Sequence, residues 1–412
     1  MKKNEPTRPR ARDAATRQLL DKAAADGVAT CFDRTLDQGK SCTFGTEGTC
    51  CRICHMGPCR LTAKAPRGVC GADAHTVAAR NFLREVAGGA AAHSDHGRHL
   101  ALLLKRVGEG RGGDYRVADL KALKQSARDW GLDISEKDTQ ALALELAELF
   151  LAEFTAQEEH LKTLTLAPAA RRGVWSRQGI APFGVDRMVV EAMHRSTMGV
   201  DHDPTSLLDH AFRTALADGW GGSMIATACS DILFGTPRPV RGQANLGVLR
   251  ADTVNVVVHG HEPALSEMLA VAARDPEVLA RARAAGASGL TLAGICCTAN
   301  EVLMRHGIPV AGSLLQQELA IVTGAVELMV TDVQCVMPSL PEVAAAYHTK
   351  VVATSDIART VGAAHAPFDP ARALACAKDL LFSAVDNFSR RDPARVAIPG
   401  EKNPLVAWFS VE

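Results

Sequence analysis

Residues 254–263 read VNVVVHGHEP, and the fold turns on them. The short β-branched run from Val254 to Val258 reads as a strand. Toward the C-terminus, residues 263–285 pattern as helix, residues 289–294 (GLTLAG) form a second short apolar run, and a helix is expected from about 299. Residues 315–328 read as helix, LMVTD (328–332) as a third strand, 340–347 as helix and KVVAT (350–354) as a fourth strand. One more helix is expected over 369–387. Strand and helix alternating at this spacing predict a parallel sheet with crossover helices, a Rossmann-like α/β domain over 246–400.

Three side chains then share one position. His261, Cys297 and Cys335 each lie just beyond the carboxyl end of an expected strand. Ligand sites in open parallel sheets form at those ends, and soft or borderline donors gathered on one edge point to a metal centre. His259 and Cys296 are immediate neighbours and could take the same roles. Taken singly, each is equally an ordinary core residue, since cysteine packs as a small hydrophobe.

Outward to the N-terminus the pattern changes. Residues 11–27 read as a helix stopped by Gly27, and 76–107, 116–165 and 184–218 are helical. Residues 1–245 are therefore expected to form a mostly helical domain. Within it, residues 31–72 hold seven of the 12 cysteines among Gly, Pro, Thr and Arg with no clean period. Cys51, Cys54, Cys59 and Cys70 are spaced C-x2-C-x4-C-x10-C, a set of four thiolates able to close on one [4Fe–4S] cluster. A four-cysteine zinc site is the alternative, although such sites usually pair two C-x2-C knuckles. Cys42 and Cys50 supply half of a further ligand set. A two-fold dimer would bring two such pairs together at its axis; otherwise they are reduced thiols. Cys31 reads as core, and Cys229 and Cys376 as structural. His93, His96 and His99 recur every third residue in HSDHGRH. On a helix they form a row of imidazoles that titrate near neutrality and could pass protons. The alternative is a polar helix start with Ser94 or Asp95 as its cap.

The composition narrows the class. Lys plus Arg and Asp plus Glu are both 46, so no net field exists to hold a nucleic acid. Hydrophobic residues are 47% and aromatics 4%, so the cores must be built from Ala, Leu and Val. The start, MKKNEPTRPRARD, is basic but lacks the apolar segment of a secretory signal. No apolar run reaches the length of a membrane span. A cytoplasmic location is expected, where cysteines stay reduced and serve metals.

At this point a family likeness enters. CCRICHMGPCR (50–60), AAHSDHGRH (91–99), GGSMIATACSDILFGTPRP (221–239), VNVVVHGHEPALSEM (254–268), GICCTANEVLMRHGIP (294–309) and QELAIVTGAVELMVTDVQCVMPSLPE (317–342) occur in order. Together they resemble the anaerobic nickel–iron–sulfur carbon monoxide dehydrogenase catalytic subunit. The resemblance implies oxidation of CO with water to CO2, two protons and two electrons, passed to a ferredoxin-like acceptor by a homodimer. It implies that Cys51, Cys54, Cys59 and Cys70 hold one [4Fe–4S] cluster, and that Cys42 and Cys50 hold half of a [4Fe–4S] cluster shared across the dimer. His261 and Cys297 would hold the pendant iron of the nickel–iron–sulfur cluster and Cys335 its iron–sulfur portion; Cys297 is preferred to Cys296 from its spacing to Cys335. His93, His96 and His99 match the family's proton-exit row, although position 102 is leucine.

Members of that family continue into a second Rossmann-like domain that supplies further cysteine ligands and a catalytic lysine. GEKNPLVAWFSVE (400–412) resembles the entry to it, so 401–412 is expected to begin a missing domain and the nickel ligand set to be incomplete. The alternatives are a non-catalytic iron–sulfur electron-transfer or scaffold protein, a split enzyme completed by a separate chain, and a hydroxylamine reductase-like hybrid-cluster protein.

Overall fold

The computed structural model describes residues 11–407. Residues 1–10 of the basic start and residues 408–412 of the tail lie outside them. The chain forms two compact units, one spanning 40–233 and the other made of the described parts of 1–39 and 234–412.

The first unit is helical. Its axis is the 35-residue helix Ala74–Gly108, started by Asp73, whose carboxylate accepts the Thr76 N–H. Helices Thr139–Phe154, Val185–Arg195 and Pro204–Ala217 pack against it. The seams are made of small and aliphatic residues, including Ala79, Leu83, Ala87, Ala192, Leu207 and Ala211. Small side chains let backbones approach closely. A Cβ at Gly97 would stand 2.5 Å from the Gly222 carbonyl oxygen, so glycine is required there. The expected helix over 116–165 is instead broken into Leu120–Asp129, Thr139–Phe154 and a 3-10 turn at Lys162–Leu166. Asp119 and Asp138 restart the helices as N-caps, and Gly131 turns left-handed between them. The cysteine-rich segment contributes a minimal hairpin, β1 (Cys50–Cys51) and β2 (Cys59–Arg60), which pairs Cys51 with Cys59.

The second unit carries β3 (Val240–Ala244), β4 (Val254–His259), β5 (Leu290–Ile295), β6 (Val310–Gly312), β7 (Val326–Thr331), β8 (Lys350–Ala353), β9 (Ala364–His365) and β10 (Asn403–Ala407). The sheet order is β10-β3-β6-β5-β4-β7-β8-β9, parallel throughout except for β10 against β3. The segment β6-β5-β4-β7-β8-β9 follows the doubly wound order 3-2-1-4-5-6. β4 and β7, at its centre, are buried at every residue, as strands covered on both faces must be.

The four strands expected from sequence are present, with helices between them. Short β3, β6, β9 and β10 were not expected, because strands of two to five residues carry little periodic signal. The expected 263–285 helix is two, Pro263–Ala272 and Pro276–Ala284, because Asp275-Pro276 caps a new start.

The expected division into 1–245, 246–400 and 401–412 differs from the compact units. Helix Ala14–Asp26 buries Ala15, Leu19 and Ala23 in the α/β core with Leu319, Val326 and Met329. The Glu401 carboxylate accepts the Ala14 and Ala15 N–H groups at 2.8 and 3.0 Å, and residues 403–407 pair along β3. Residues 403–407 therefore belong to this sheet. Among the described residues no helix is long and apolar enough to cross a membrane.

Candidate metal centres

In the helical unit, Cys51, Cys54, Cys59 and Cys70 line a single cavity of about 340 Å3, part of it open to solvent, together with Arg80 and Met198. The hairpin sets Cys51 across from Cys59, and the turn between the strands carries Cys54. Cys51, Leu61, Ala72 and Val77 form an apolar floor. Among the described residues no three His, Cys, Asp or Glu side chains gather on one metal-ion position. Four thiols ringing a cavity instead of meeting at a point fit a multi-iron cluster better than a single zinc ion. Cys42 and Cys50 do not line this cavity. Cys42 is exposed at the start of the short helix Thr43–Thr46, and Cys50 is half-buried, its carbonyl accepting from Asn81 Nδ2 at 3.0 Å.

In the α/β unit, β5, β4 and β7 are adjacent, and His261, the Cys296–Cys297 pair and Cys335 follow their carboxyl ends. The link from β4 begins the sheet in one direction and β7 resumes it in the other, so these residues sit at the switch point. Asp332, the first residue after β7, is buried and accepts the backbone N–H of His261 at 2.7 Å, of Glu262 at 3.0 Å and of Val333. Burial pushes its carboxyl up to about 7 against those three donors. Gly260 makes this possible. Its φ is +140°, and a Cβ there would fall 1.6 Å from Asp332 Oδ1.

The loop after β7 is held from behind. His259 is buried, and its Nε2 lies 2.9 Å from Gln317 Oε1 and 3.2 Å from the Cys335 carbonyl. Gln317 Nε2 donates to the same carbonyl at 3.0 Å, and Gln317 Oε1 accepts the Met337 N–H at 2.8 Å. His259 therefore serves as a support for Cys335, which separates it from His261. Cys296, Gln334 and Cys335 all hold positive φ, near +60°. Such backbone strain at non-glycine residues persists where surrounding bonds enforce it and collects at functional sites.

Cys296 is half-buried with the Cys335 thiol close by, whereas Cys297 is exposed. Burial pushes Cys296 up to about 12, helped by the Cys335 and Cys297 thiols. Burial also raises Cys297, with Cys335, Glu301 and Asp332 adding to it. Each of these influences favours the protonated thiol, so the donor set fits a group that brings its own positive charge, as a metal cluster does.

The histidine row lies in the middle of helix Ala74–Gly108, which excludes a helix start at Ser94 or Asp95. Ser94 is buried and donates to Asp218 Oδ1 at 2.9 Å. His93 Nδ1 lies 3.3 Å from Asp218 Oδ2 and 3.2 Å from Ser223 Oγ. The Asp218 hydrogen bond raises the His93 pKa, opposed by partial burial. The His93 and His96 rings stand edge-on with centroids 6.4 Å apart, and His99 Nε2 is 3.8 Å from Asp95. Asp218 begins a π-helical turn, Asp218–Ser223, a distortion frequent at functional sites. Cys229 is fully buried, as expected, whereas Cys31 is only half-buried and starts helix Cys31–Asp37, its N–H donating to Glu318 at 2.6 Å.

Over residues 49–407 the sequence matches the Prismane/CO dehydrogenase family. The chain belongs to that family. It is 50% identical to carbon monoxide dehydrogenase 1 of Methanosarcina acetivorans, across 97% of this chain and 64% of that protein. Identity to the Rhodospirillum rubrum carbon monoxide dehydrogenase is 42%, across 97% and 63%. The fold superposes on a nickel-free carbon monoxide dehydrogenase of Thermococcus sp. AM4 with a TM-score of 0.97 at 47% identity, covering 100% of this chain and 66% of that one. An acetyl-CoA synthase/carbon monoxide dehydrogenase, described with NiZn[Fe4S4] and NiNi[Fe4S4] clusters in its alpha subunits, matches with a TM-score of 0.94 at 44% identity, covering 98% and 61%. The chain spans just under two thirds of the length of these relatives. Likeness to carbon monoxide dehydrogenases at this level does not favour the hydroxylamine reductase-like alternative.

Asp332, Gln317, Asp218 and Arg80 escaped the sequence reading. Asp332, three residues before Cys335, was the one with a signal: an acidic residue at a strand's carboxyl end. The others depend on contacts between residues far apart in sequence.

Proposed function

We propose that this chain provides the electron-relay cluster and part of the active-site ligand set of a cytoplasmic, homodimeric carbon monoxide dehydrogenase. It would oxidise CO with water to CO2, two protons and two electrons, and deliver the electrons to a ferredoxin-like acceptor. The carrying observation is the placement of His261, Cys296–Cys297 and Cys335 beyond three adjacent strands at the switch point. When bound, the nickel–iron–sulfur cluster would supply a Lewis-acidic iron beside a nickel that takes CO. His261 would act as a neutral nitrogen ligand, its main chain fixed by Asp332. Cys297 and Cys335 would be the thiolate ligands, with Cys296 beside them. His93, biased toward its protonated form by Asp218, would accept protons at the start of the row His93, His96, His99. Cys51, Cys54, Cys59 and Cys70 would hold one [4Fe–4S] cluster. Cys42 and Cys50 would share another with the same pair of a second copy, for which the exposure of Cys42 leaves room. The test is anaerobic assay of the chain for iron, nickel and CO-dependent viologen reduction. Iron is expected in this chain, and nickel with CO oxidation once the remaining ligands of the site are supplied; iron without nickel and without CO oxidation in that completed assembly overturns the enzyme reading and leaves an electron-transfer protein.

A further inference from the structure

Arg80 is the largest fully buried side chain of the helical unit, at 0% exposure, and it lines the four-cysteine cavity. It stands one helical turn after Val77, which lines the same cavity. Its guanidinium has neutral partners. Nε and Nη2 donate to the Asp201 carbonyl at 3.3 and 2.8 Å, and Nη2 lies 3.0 Å from His202 Nδ1. Among the described residues no carboxylate forms an ion pair with it; the Asp201 carboxylate is taken by Arg195 at 2.8 Å. A buried cation is strongly disfavoured unless an anion compensates it. Arg80 shares the lining of its cavity with the ring of four cysteines, which becomes anionic when the thiols ligate iron and can then compensate the charge.

We propose that Arg80 is the built-in counter-cation of the [4Fe–4S] cluster held by Cys51, Cys54, Cys59 and Cys70, and that it raises the potential of that cluster. The proposal rests on the cluster reading above. Four thiolates leave the oxidised cluster net negative, and one-electron reduction adds a further negative charge. A fixed positive charge in a low-dielectric wall favours the reduced state, and cluster potentials follow net charge, hydrogen bonding and exposure. Arg80 is a positioning residue of the electron relay and ligates no iron.

The experiment is an EPR-monitored redox titration of the anaerobically purified chain, with dithionite as reductant and Cys54→Ala marking which signal belongs to this cluster. Arg80→Gln keeps an N–H donor for the Asp201 carbonyl and removes the charge; Arg80→Lys keeps the charge. In Arg80→Gln the ratio of reduced to oxidised cluster at the wild-type midpoint is expected to fall about tenfold, about 59 mV for one electron. Arg80→Lys is expected to return it to within about twofold of wild type. Full iron with an unchanged midpoint in Arg80→Gln overturns the proposal and makes Arg80 a clamp on the 201–202 turn. If Arg80→Gln holds no iron, Arg80→Lys decides: loading at the wild-type midpoint supports the proposal, and failure to load or a lowered midpoint overturns it. A wild-type chain without this cluster defeats the cluster reading and this inference together. A cluster lost in Cys54→Ala but indifferent to Arg80→Gln defeats this inference alone.

Discussion

At the scale of single residues, the metal-centre edge depends on side chains that would touch no metal. Gln317 is fully buried and holds both His259 Nε2 and the Cys335 carbonyl. Gln317→Leu strands the Met337 N–H and leaves His259 Nε2 and the Cys335 carbonyl only each other, and an unsatisfied buried polar atom costs about 1–3 kcal/mol. A fall in the denaturant midpoint worth at least about 2 kcal/mol is expected, with Cys335 more reactive to a thiol probe. An unshifted midpoint would show that the loop does not need this support. His93 offers a pH test. Its pKa is raised from the ordinary 6.5, first by the Asp218 hydrogen bond. The contribution of that contact to stability is fully present below the unfolded value and is lost as pH rises through the folded one. NMR titration should find His93 above 6.5, and Asp218→Asn should bring it down. A His93 midpoint unaffected by Asp218→Asn contradicts the assignment.

At the scale of elements, one helix organises the helical unit. Ala74–Gly108 carries Val77 and Arg80 to the cysteine cavity and the histidine row further along. Its start is set by Asp73, which accepts the Thr76 N–H at 2.9 Å. Asp73→Ala removes that cap and should destabilise the unit by about 1 kcal/mol, with hydrogen exchange quickening in the first turn. Exchange unchanged from 74 to 77 would show that packing alone holds the start. The sheet shows the complementary case. β4, β5 and β7 were legible because each carries a short, mostly apolar run, as a doubly covered central strand does. β3 and β10 lie at one edge of the same sheet, with polar residues along them, and left no such trace.

At the scale of the molecule, the α/β unit is discontinuous. The N-terminal helix Ala14–Asp26 packs into a core otherwise built from residues beyond 240. Leu19 is at 0% exposure there, so Leu19→Ala should cost about 2–5 kcal/mol through the cavity left behind. Calorimetry of the variant should show that loss; a loss below about 1 kcal/mol would mean the helix is only loosely attached.

Local chemistry and period were legible along the chain: the alternation of strand and helix, the C-x2-C-x4-C-x10-C spacing, the three-residue recurrence of histidine, and histidine and cysteine just past the strand ends. Those signals lie within a few tens of residues, where hydrophobic period and ligand spacing act. Tertiary structure alone decided the rest. Strand order made the ends of β5, β4 and β7 neighbours, although some 70 residues of chain separate β4 from β7. Long-range hydrogen bonds gave His259 to support and left His261 at the edge. Buried Arg80 came to line the cavity of four cysteines because of a helix register that the local sequence does not encode. Such placements depend on the balance of burial and pairing over the whole chain, and no single segment contains that balance.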